Sequence, residues 1–173
     1  METKVPFYSI INILVPGLIF IGAGVFAFFN EVEEMVVRIA ALDNMGFEIL
    51  LTVASLAVAY EVGYVIFRLG AAIIEPLLQK MFGWATYENF AAAKRAGAKS
   101  LDMLSREYGY SRTHISLFIA LAILMGVRGH WIIVIFCIAC VVLFVLAARS
   151  YIKKTIDTVN IYLKPQIESE GVK

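Results

Sequence analysis

The residues best placed for chemistry are a carboxylate and the polar side chains around it in apolar sequence. Glu61 stands in AVAYEVGYVIFR, residues 57–68, near the end of an apolar run that begins at Ile49. If this run crosses a bilayer, Glu61 is an ionisable group in hydrocarbon, and such groups are functional candidates by default. Counting inward from the ends of the other apolar runs places further polar residues within about one helical turn of the same depth. We therefore predict an intramembrane polar layer of Asn12, Glu61, Tyr64, His114 and Ser116.

Three roles for Glu61 follow from this position. It can line a water-filled path in an oligomer, or it can be a proton-coupled site. It can also be an internal hydrogen-bonding anchor to Asn12, Tyr64 or Ser116 without any transport role, since polar side chains commonly tie transmembrane helices together. A carboxylate at that depth must be paired, hydrated or protonated in every case.

Enzyme chemistry has little support in the sequence. Arg112 and His114 are too close together for the arginine-histidine spacing of helical RNA-cutting domains, and no phosphate-binding loop, nucleophile elbow or HExxH motif occurs. His130 lacks a second ligand at metal spacing. Cys137 and Cys140 form a CxxC in the middle of an apolar run, where thiols behave as small apolar groups. We predict no catalytic residues, no metal and no cofactor, hence no enzyme.

The composition is that of a membrane protein. Of the 173 residues, 61% are hydrophobic and 17% charged, and the mean hydropathy is +0.81, far from the averages of soluble domains. Four apolar runs, 7–29, 47–67, 112–127 and 131–148, reach or approach the roughly 20 helical residues that span a bilayer. The first run is longer than a signal-peptide core, so we expect an uncleaved span. The sequence thus predicts an all-α, four-helix membrane bundle.

The basic residues predict the orientation of this bundle. Thirteen of the 15 Lys and Arg residues fall on the side of both termini and of the segment 69–111, and only Arg38 and Arg128 fall on the other side. Because cytoplasmic loops carry the excess of Lys and Arg, both termini should be cytoplasmic, in a bacterial inner membrane. The chain then divides into a first transmembrane hairpin (1–68), a cytoplasmic helical loop (69–111), a second hairpin (112–149) and a cytoplasmic extension with a tail (150–173).

Small residues in the first two runs indicate close helix packing. Pro16 kinks a helix, and small residues let a neighbouring helix approach closely. The residues that we expect to mediate helix packing and homo-oligomerisation are Pro16, Gly17, Gly24, Ala54 and Ala57. Gly and Pro are also common in transmembrane helices in general, so this pattern alone leaves their role open.

Both cytoplasmic segments have amphipathic patterns. Residues 90–108 show one continuous apolar helical stripe with a basic face beside it, and the pattern after the fourth run continues to Pro165, where we expect the helix to end before a disordered tail at 166–173. The basic face can lie among anionic lipid headgroups or dock a cytoplasmic protein. It is too small to predict direct nucleic-acid binding. The residues predicted to bind a partner or headgroups are Arg95, Lys99, Arg106, Lys153 and Lys154.

The chain resembles small four-span membrane proteins of prokaryotic antiphage systems, including membrane effectors linked to CRISPR or cyclic-nucleotide signalling and the membrane subunit of the Kiwa system. The resemblance rests on the architecture, on the first run YSIINILVPGLIFIG and on the second run ending in AYEVGYVIFRLG. It implies a homo-oligomer in the inner membrane that works with a soluble partner and perturbs or gates the membrane. The alternatives are a small proton- or ion-coupled transporter or channel that uses Glu61, and a passive membrane scaffold.

Overall fold

The fold is entirely helical over the residues that the computed structural model describes, which are 7–40 and 45–170, with side chains at 10–34, 37 and 45–163. The helices are α1 (Phe7–Ala27), α2 (Phe29–Ala40), α3 (Met45–Leu69), α4 (Glu75–Phe82), α5 (Tyr87–Arg95), α6 (Ser100–Val127) and α7 (Trp131–Glu170). A π-helical turn, Gly70–Ile74, joins α3 to α4 without a break. Four helical segments are long and apolar enough to cross a membrane. The predicted all-α class and four apolar helices are confirmed.

The long helices form two antiparallel pairs. α1 packs mainly against α3, and α6 packs along α7, while contacts of α6 with α1 and α3 join the pairs. Three buried clusters follow one another along α6, marked by Leu101, then Ile115, then Leu121. This order places the polar half of α6 at one end of the bundle and its apolar half along the other three long helices.

Helices α1 and α3 approach each other closely at two glycines. A Cβ atom built on Gly17 would lie 1.7 Å from the backbone oxygen of Ala59, and one built on Gly63 would lie 1.8 Å from that of Ile13. Real Cβ atoms essentially never come within 3.0 Å of such atoms, so both positions need glycine. The two helices therefore cross in direct backbone contact, an arrangement typical of small residues at membrane-helix interfaces.

The continuous helix predicted over residues 90–108 is wrong, because the chain breaks at Gly97. Gly97 has φ +100°, which glycine adopts at little cost. The amides of Gly97 and Ala98 donate to the carbonyls of Lys94 and Ala93, at 3.1 and 3.2 Å, the bonding pattern of a Schellman C-cap. α5 thus ends at Arg95, and α6 begins at Ser100 and continues into the third apolar run without interruption.

The fourth long helix also departs from expectation, since α7 runs through Pro165 to Glu170. A proline removes one backbone donor, and the carbonyl that it leaves unpaired, on Ile161, lies in a residue that is 67% exposed, where water can replace the lost bond. The predicted tail is therefore helical as far as Glu170, and 171–173 lie outside the described residues.

The C-terminal part of α7 covers the apolar stripe of the segment before the third run. Ala93, Ala98 and Leu101 are at most 1% exposed and pack against Val159. The stripe therefore contacts this chain's own C-terminal helix. We call the resulting unit the helical layer: α4, α5, residues 100–110 of α6 and residues 150–163 of α7.

The opposite end of the bundle is closed by Arg128, in the turn between α6 and α7. Its Nε donates to the carbonyl of Ala27 at 2.8 Å, at the end of α1, and its guanidinium pairs with Glu31 on α2. Its Cζ also lies 4.2 Å from the ring centroid of Phe28. Helix α2 was not expected from the sequence, because its 12 residues follow the first apolar run without a turn signal.

Candidate functional site

A cavity of about 270 Å³ with a polar lining lies at the junction of the helical layer and the long helices. α1, the end of α3, the start of α4 and α6 all contribute to its wall. We call it the Arg112 cavity. Its lining residues are Asn12, Ile13, Phe67, Glu75, Trp84, Ser105, Arg106, Tyr108, Gly109 and Arg112.

An ion pair between Arg112 and Glu75 forms one wall of this cavity. The side chains are 11% and 30% exposed. Glu75 Oε1 also accepts a hydrogen bond from Gln79 Nε2 at 3.1 Å, so both carboxylate oxygens are engaged. The Cζ of Arg112 lies 5.1 Å from the ring centroid of Phe67, within cation–π range. The guanidinium is thus held in one orientation from two sides.

The π-helical turn brings α4 and α6 together here. A Cβ atom on Gly70, the first residue of the turn, would lie 3.0 Å from Ser116 Oγ and 3.3 Å from the carbonyl oxygen of Arg112, so glycine allows the close approach of α6. A π-helical turn inserts one residue into the helical register. We infer that this shift helps Glu75, only five residues further on, to face Arg112.

Three buried polar atoms without hydrogen-bond partners belong to residues that line this cavity. Within the described part of the chain, the buried side-chain atoms lacking a hydrogen bond are Asn12 Oδ1, Tyr108 Oη and Arg112 Nε, and all three residues line the cavity. Their side chains belong to residues that are only 8%, 3% and 9% exposed. Unpaired buried polar groups cost about 1–3 kcal/mol each. Water or a polar ligand that reached these atoms from the cavity would offset this cost.

The predicted polar layer is only partly brought together. Asn12, His114 and Ser116 are buried, but in different surroundings. His114 Nδ1 lies 2.9 Å from the carbonyl of Tyr110, and its ring stacks on Phe144 with centroids 5.0 Å apart. Ser116 Oγ donates back to the carbonyl of Arg112 at 3.4 Å. These two side chains therefore bond within their own helix.

Glu61 lies apart from these residues, exposed on the outer face of α3. Tyr64, one turn further on, accepts a hydrogen bond from Arg68 Nε at 2.8 Å, and this bond is exposed. Glu61 forms no hydrogen bond or ion pair among the described residues. Its contact with Asn12 or Ser116 is absent there, so the internal-anchor role is not realised within one chain.

The predicted packing residues fall on two different surfaces. Pro16 and Gly17 are buried. Gly17 already packs against α3 of the same chain, so it is not available for contact with another copy. Gly24 has no atom within 4 Å of a built Cβ. Ala54 and Ala57 are exposed on the outer face of α3, on the side of Glu61. The surface with Ala54 and Ala57 is therefore free to meet another copy, and the space beside Gly24 is open as well.

The predicted basic residues all lie on the surface of the helical layer, and each is exposed: Arg95, Lys99, Arg106, Lys153 and Lys154. Arg106 Nε donates to the carbonyl of Asp102 at 3.2 Å, while the carboxylate of Asp102 pairs with Lys94 at 2.6 Å. Arg106 forms no ion pair with any described residue, and it lines the Arg112 cavity.

Three central residues of the cavity were not predicted as site residues: Glu75, Tyr108 and Arg112. A signal existed, because Glu75 follows the second apolar run and Arg112, with the opposite charge, begins the third. Tyr108 was assigned only to the apolar stripe. Its ring does pack on Trp84, with centroids 4.8 Å apart, but its buried hydroxyl has no partner, and both residues line the cavity.

Among the described residues, no group of three or more His, Cys, Asp or Glu side chains is placed to hold a metal ion. No protein-family model matches the chain, and no curated protein or solved structure matches it either. The function therefore has to be argued from the geometry.

Proposed function

We propose that this chain is a multi-pass inner-membrane protein with both termini and the helical layer in the cytoplasm. In this proposal it is a non-enzymatic membrane subunit that assembles with further copies and docks a soluble partner on the basic surface of the helical layer. When the partner docks, it displaces the helical layer and, with it, the membrane spans. The subunit thereby perturbs or gates the membrane.

The observation that carries the proposal is the continuity of α6 and α7. At 1.5 Å per residue, their 28 and 40 residues extend over about 42 and 60 Å, whereas the hydrocarbon core is about 30 Å thick. Each helix therefore runs from an apolar span into the helical layer as one rigid element. A partner that displaces the layer displaces two spans with it, which a passive anchor does not require.

The charge distribution supports the orientation and the kind of partner. The exposed side chains of Arg95 and Lys99 stand at the turn between α5 and α6, and the opposite end of the bundle carries the acidic helix α2. A basic cytoplasmic surface fits the distribution of Lys and Arg in membrane proteins and attracts an acidic partner.

The outer face of α3 supports assembly with further copies. Ala54, Ala57 and Glu61 are all exposed on it, and a carboxylate facing lipid is costly. A second copy would cover Glu61 and use the small residues for close packing. Ala57→Cys in a background without Cys137 and Cys140 should form cross-linked dimers on mild oxidation, and Ile135→Cys, exposed on α7, should not.

The docking function is tested by reversing charge at the turn before α6. Arg95→Glu with Lys99→Glu should reduce at least tenfold the amount of a stoichiometric soluble protein that co-purifies with the detergent-extracted chain from its native host. Arg106 is left unchanged because it also lines the Arg112 cavity. Glu33→Lys, a charge reversal at an exposed position on α2, at the opposite end of the bundle, is the control. Unchanged retention, or no stoichiometric soluble protein with the wild type, would refute docking on this surface.

A channel or transporter function is the second candidate, and the exposure of Glu61 favours one form of it. Because Glu61 lies on the outer face of α3, an ion path past it needs at least two copies. Expression of the wild type should then depolarise cells, as read by a potential-sensitive dye, and Glu61→Gln should not. Loss of the oligomer in the variant would instead assign Glu61 to assembly.

The setting of antiphage defence stays a prediction from the resemblance alone. It is tested by phage challenge of cells carrying this chain with its neighbouring genes, with and without the Arg95 and Lys99 reversals. Equal plaque counts with and without the genes would argue against it.

A further inference from the structure

We infer that the Arg112 cavity binds a phosphate group, and that a membrane phospholipid supplies it through its headgroup. The lipid source rests on the membrane insertion proposed above. The phosphate chemistry rests only on the side chains that line the cavity.

The unpaired groups of the residues that line the cavity are those that a phosphate would satisfy. Arg112 Nε carries an N–H and Tyr108 an O–H, and both are buried without a partner. Ser105 adds a hydroxyl, and Arg106 adds a second guanidinium. Hydrogen bonds from charged donors to phosphate oxygens are about twice as strong as those between neutral groups. Asn12 can turn its amide nitrogen toward a bound oxygen, since the two ends of a carboxamide are interchangeable.

The charge of the lining favours an anion over a cation. Arg106 and Arg112 contribute two positive charges, and Glu75 contributes one negative charge. Both oxygens of Glu75 are already bonded, one to Arg112 and one to Gln79, so the carboxylate offers little to a cation. One guanidinium charge stays uncompensated, which a phosphate diester would neutralise.

The size of the cavity limits the ligand. Its 270 Å³ is the liquid volume of about nine water molecules and lies just below the range of about 300–1,000 Å³ typical of pockets for drug-sized ligands. A headgroup fragment fits such a volume, while a whole dinucleotide does not. The Arg112 guanidinium is already fixed by Glu75 and Phe67, so its Nε donor needs little ordering when the ligand enters.

In an inserted bundle, the cavity would lie at the depth of the lipid phosphates. It lies between Phe67, at the end of the second apolar run, and Arg112, at the start of the third, with Trp84 on its wall. In an inserted bundle the ends of apolar runs, and an aromatic side chain such as Trp84, lie at headgroup level. A lipid could therefore reach the cavity from the bilayer.

Trp84 provides a direct probe. The chain has two tryptophans, so Trp131→Phe leaves Trp84 as the single reporter. The full chain, delipidated in a phosphate-free maltoside detergent, is titrated with dihexanoyl-phosphatidylglycerol, with inorganic phosphate and with phosphate-free dihexanoylglycerol. We expect a saturable change of Trp84 fluorescence with the phospholipid, a much weaker one with inorganic phosphate and none with dihexanoylglycerol.

Tyr108→Phe is the decisive variant, because it removes only an unpaired hydroxyl and keeps the ring against Trp84. The protein without ligand should be no less stable, whereas the dissociation constant for the phospholipid should rise roughly tenfold or more. Tyr151→Phe, a tyrosine outside the cavity, should leave it unchanged. If Tyr108→Phe does not fold, Ser105→Ala at the exposed rim should give a smaller rise of the same kind.

The outcomes separate the claims. Equal affinity for inorganic phosphate and phospholipid would support the phosphate site and overturn the lipid source. No saturable change with either phosphate probe, or a change that Tyr108→Phe leaves intact, would overturn the site itself. Either result leaves the membrane topology untouched, since that is measured separately by labelling in intact cells.

Discussion

The crossing of α1 and α3 allows a quantitative test of the fold with a single methyl group. In Gly17→Ala the new Cβ would start 1.7 Å from the carbonyl oxygen of Ala59, whereas ordinary contact begins at 3.4 Å. The helices must separate by about 1.7 Å at the crossing to relieve this overlap. Overpacking costs about 1–3 kcal/mol, and we expect the upper part of that range because the neighbours are backbone atoms that cannot rotate away.

The matched control lies one to two turns away on the same helix. Gly22→Ala adds the same methyl group where no atom lies within 4 Å, so both variants share any gain in helix propensity, up to about 1 kcal/mol. The difference between their free energies of unfolding, measured by SDS titration in mixed micelles, therefore isolates the packing strain. A difference below about 0.5 kcal/mol, the usual spread of surface substitutions, would refute the backbone contact between α1 and α3.

Three further predictions concern the helical layer and the opposite end. Leu101→Ala should lower the free energy of unfolding by about 2–5 kcal/mol, since the side chain is fully buried, and Met103→Ala, 61% exposed, should change it little in the same titration. Gly97→Ala should cost about 1–2 kcal/mol, because φ +100° is unfavourable for a residue with a Cβ; a neutral effect would contradict the cap. Arg128 holds the pKa of Glu31 below its usual value of 4.5, chiefly through a hydrogen bond. The stability from this pair is therefore complete above pH 4.5 and is lost as the pH falls through the lowered pKa. Arg128→Gln should remove this component from the pH dependence of thermal unfolding, and an unchanged pH profile would argue against the pair.

The sequence predicted the parts of the fold that depend on long apolar patterns. Four such runs were found, and the structure has four helices long enough to cross a membrane. The residues of the apolar stripe around Leu101 were also identified as one packing surface. These predictions succeeded because burial of an apolar face leaves a periodic signal over many residues.

The features that were not predicted correctly depend on single residues and on contacts between residues distant in sequence. Gly97 ends one helix within the apolar stripe of residues 90–108. Because the helical spacing of apolar residues continues on both sides of Gly97, this spacing does not reveal the break. The ion pair of Arg112 with Glu75 joins residues 37 positions apart, across a π-helical turn that has no sequence signature. Glu61 was assigned to an interior layer because depth along α3 can be counted, whereas the side of the bundle that it faces depends on where α1 packs.

The central claim is a four-span bundle with the helical layer in the cytoplasm, and cysteine labelling tests it most directly. In a background without Cys137 and Cys140, Glu33→Cys on α2 and Lys99→Cys before α6 each present one exposed thiol. In spheroplasts, a membrane-impermeant maleimide should label Glu33→Cys at once and Lys99→Cys only after lysis. Labelling of Lys99→Cys in intact spheroplasts, or recovery of the chain in the soluble fraction, would contradict the account.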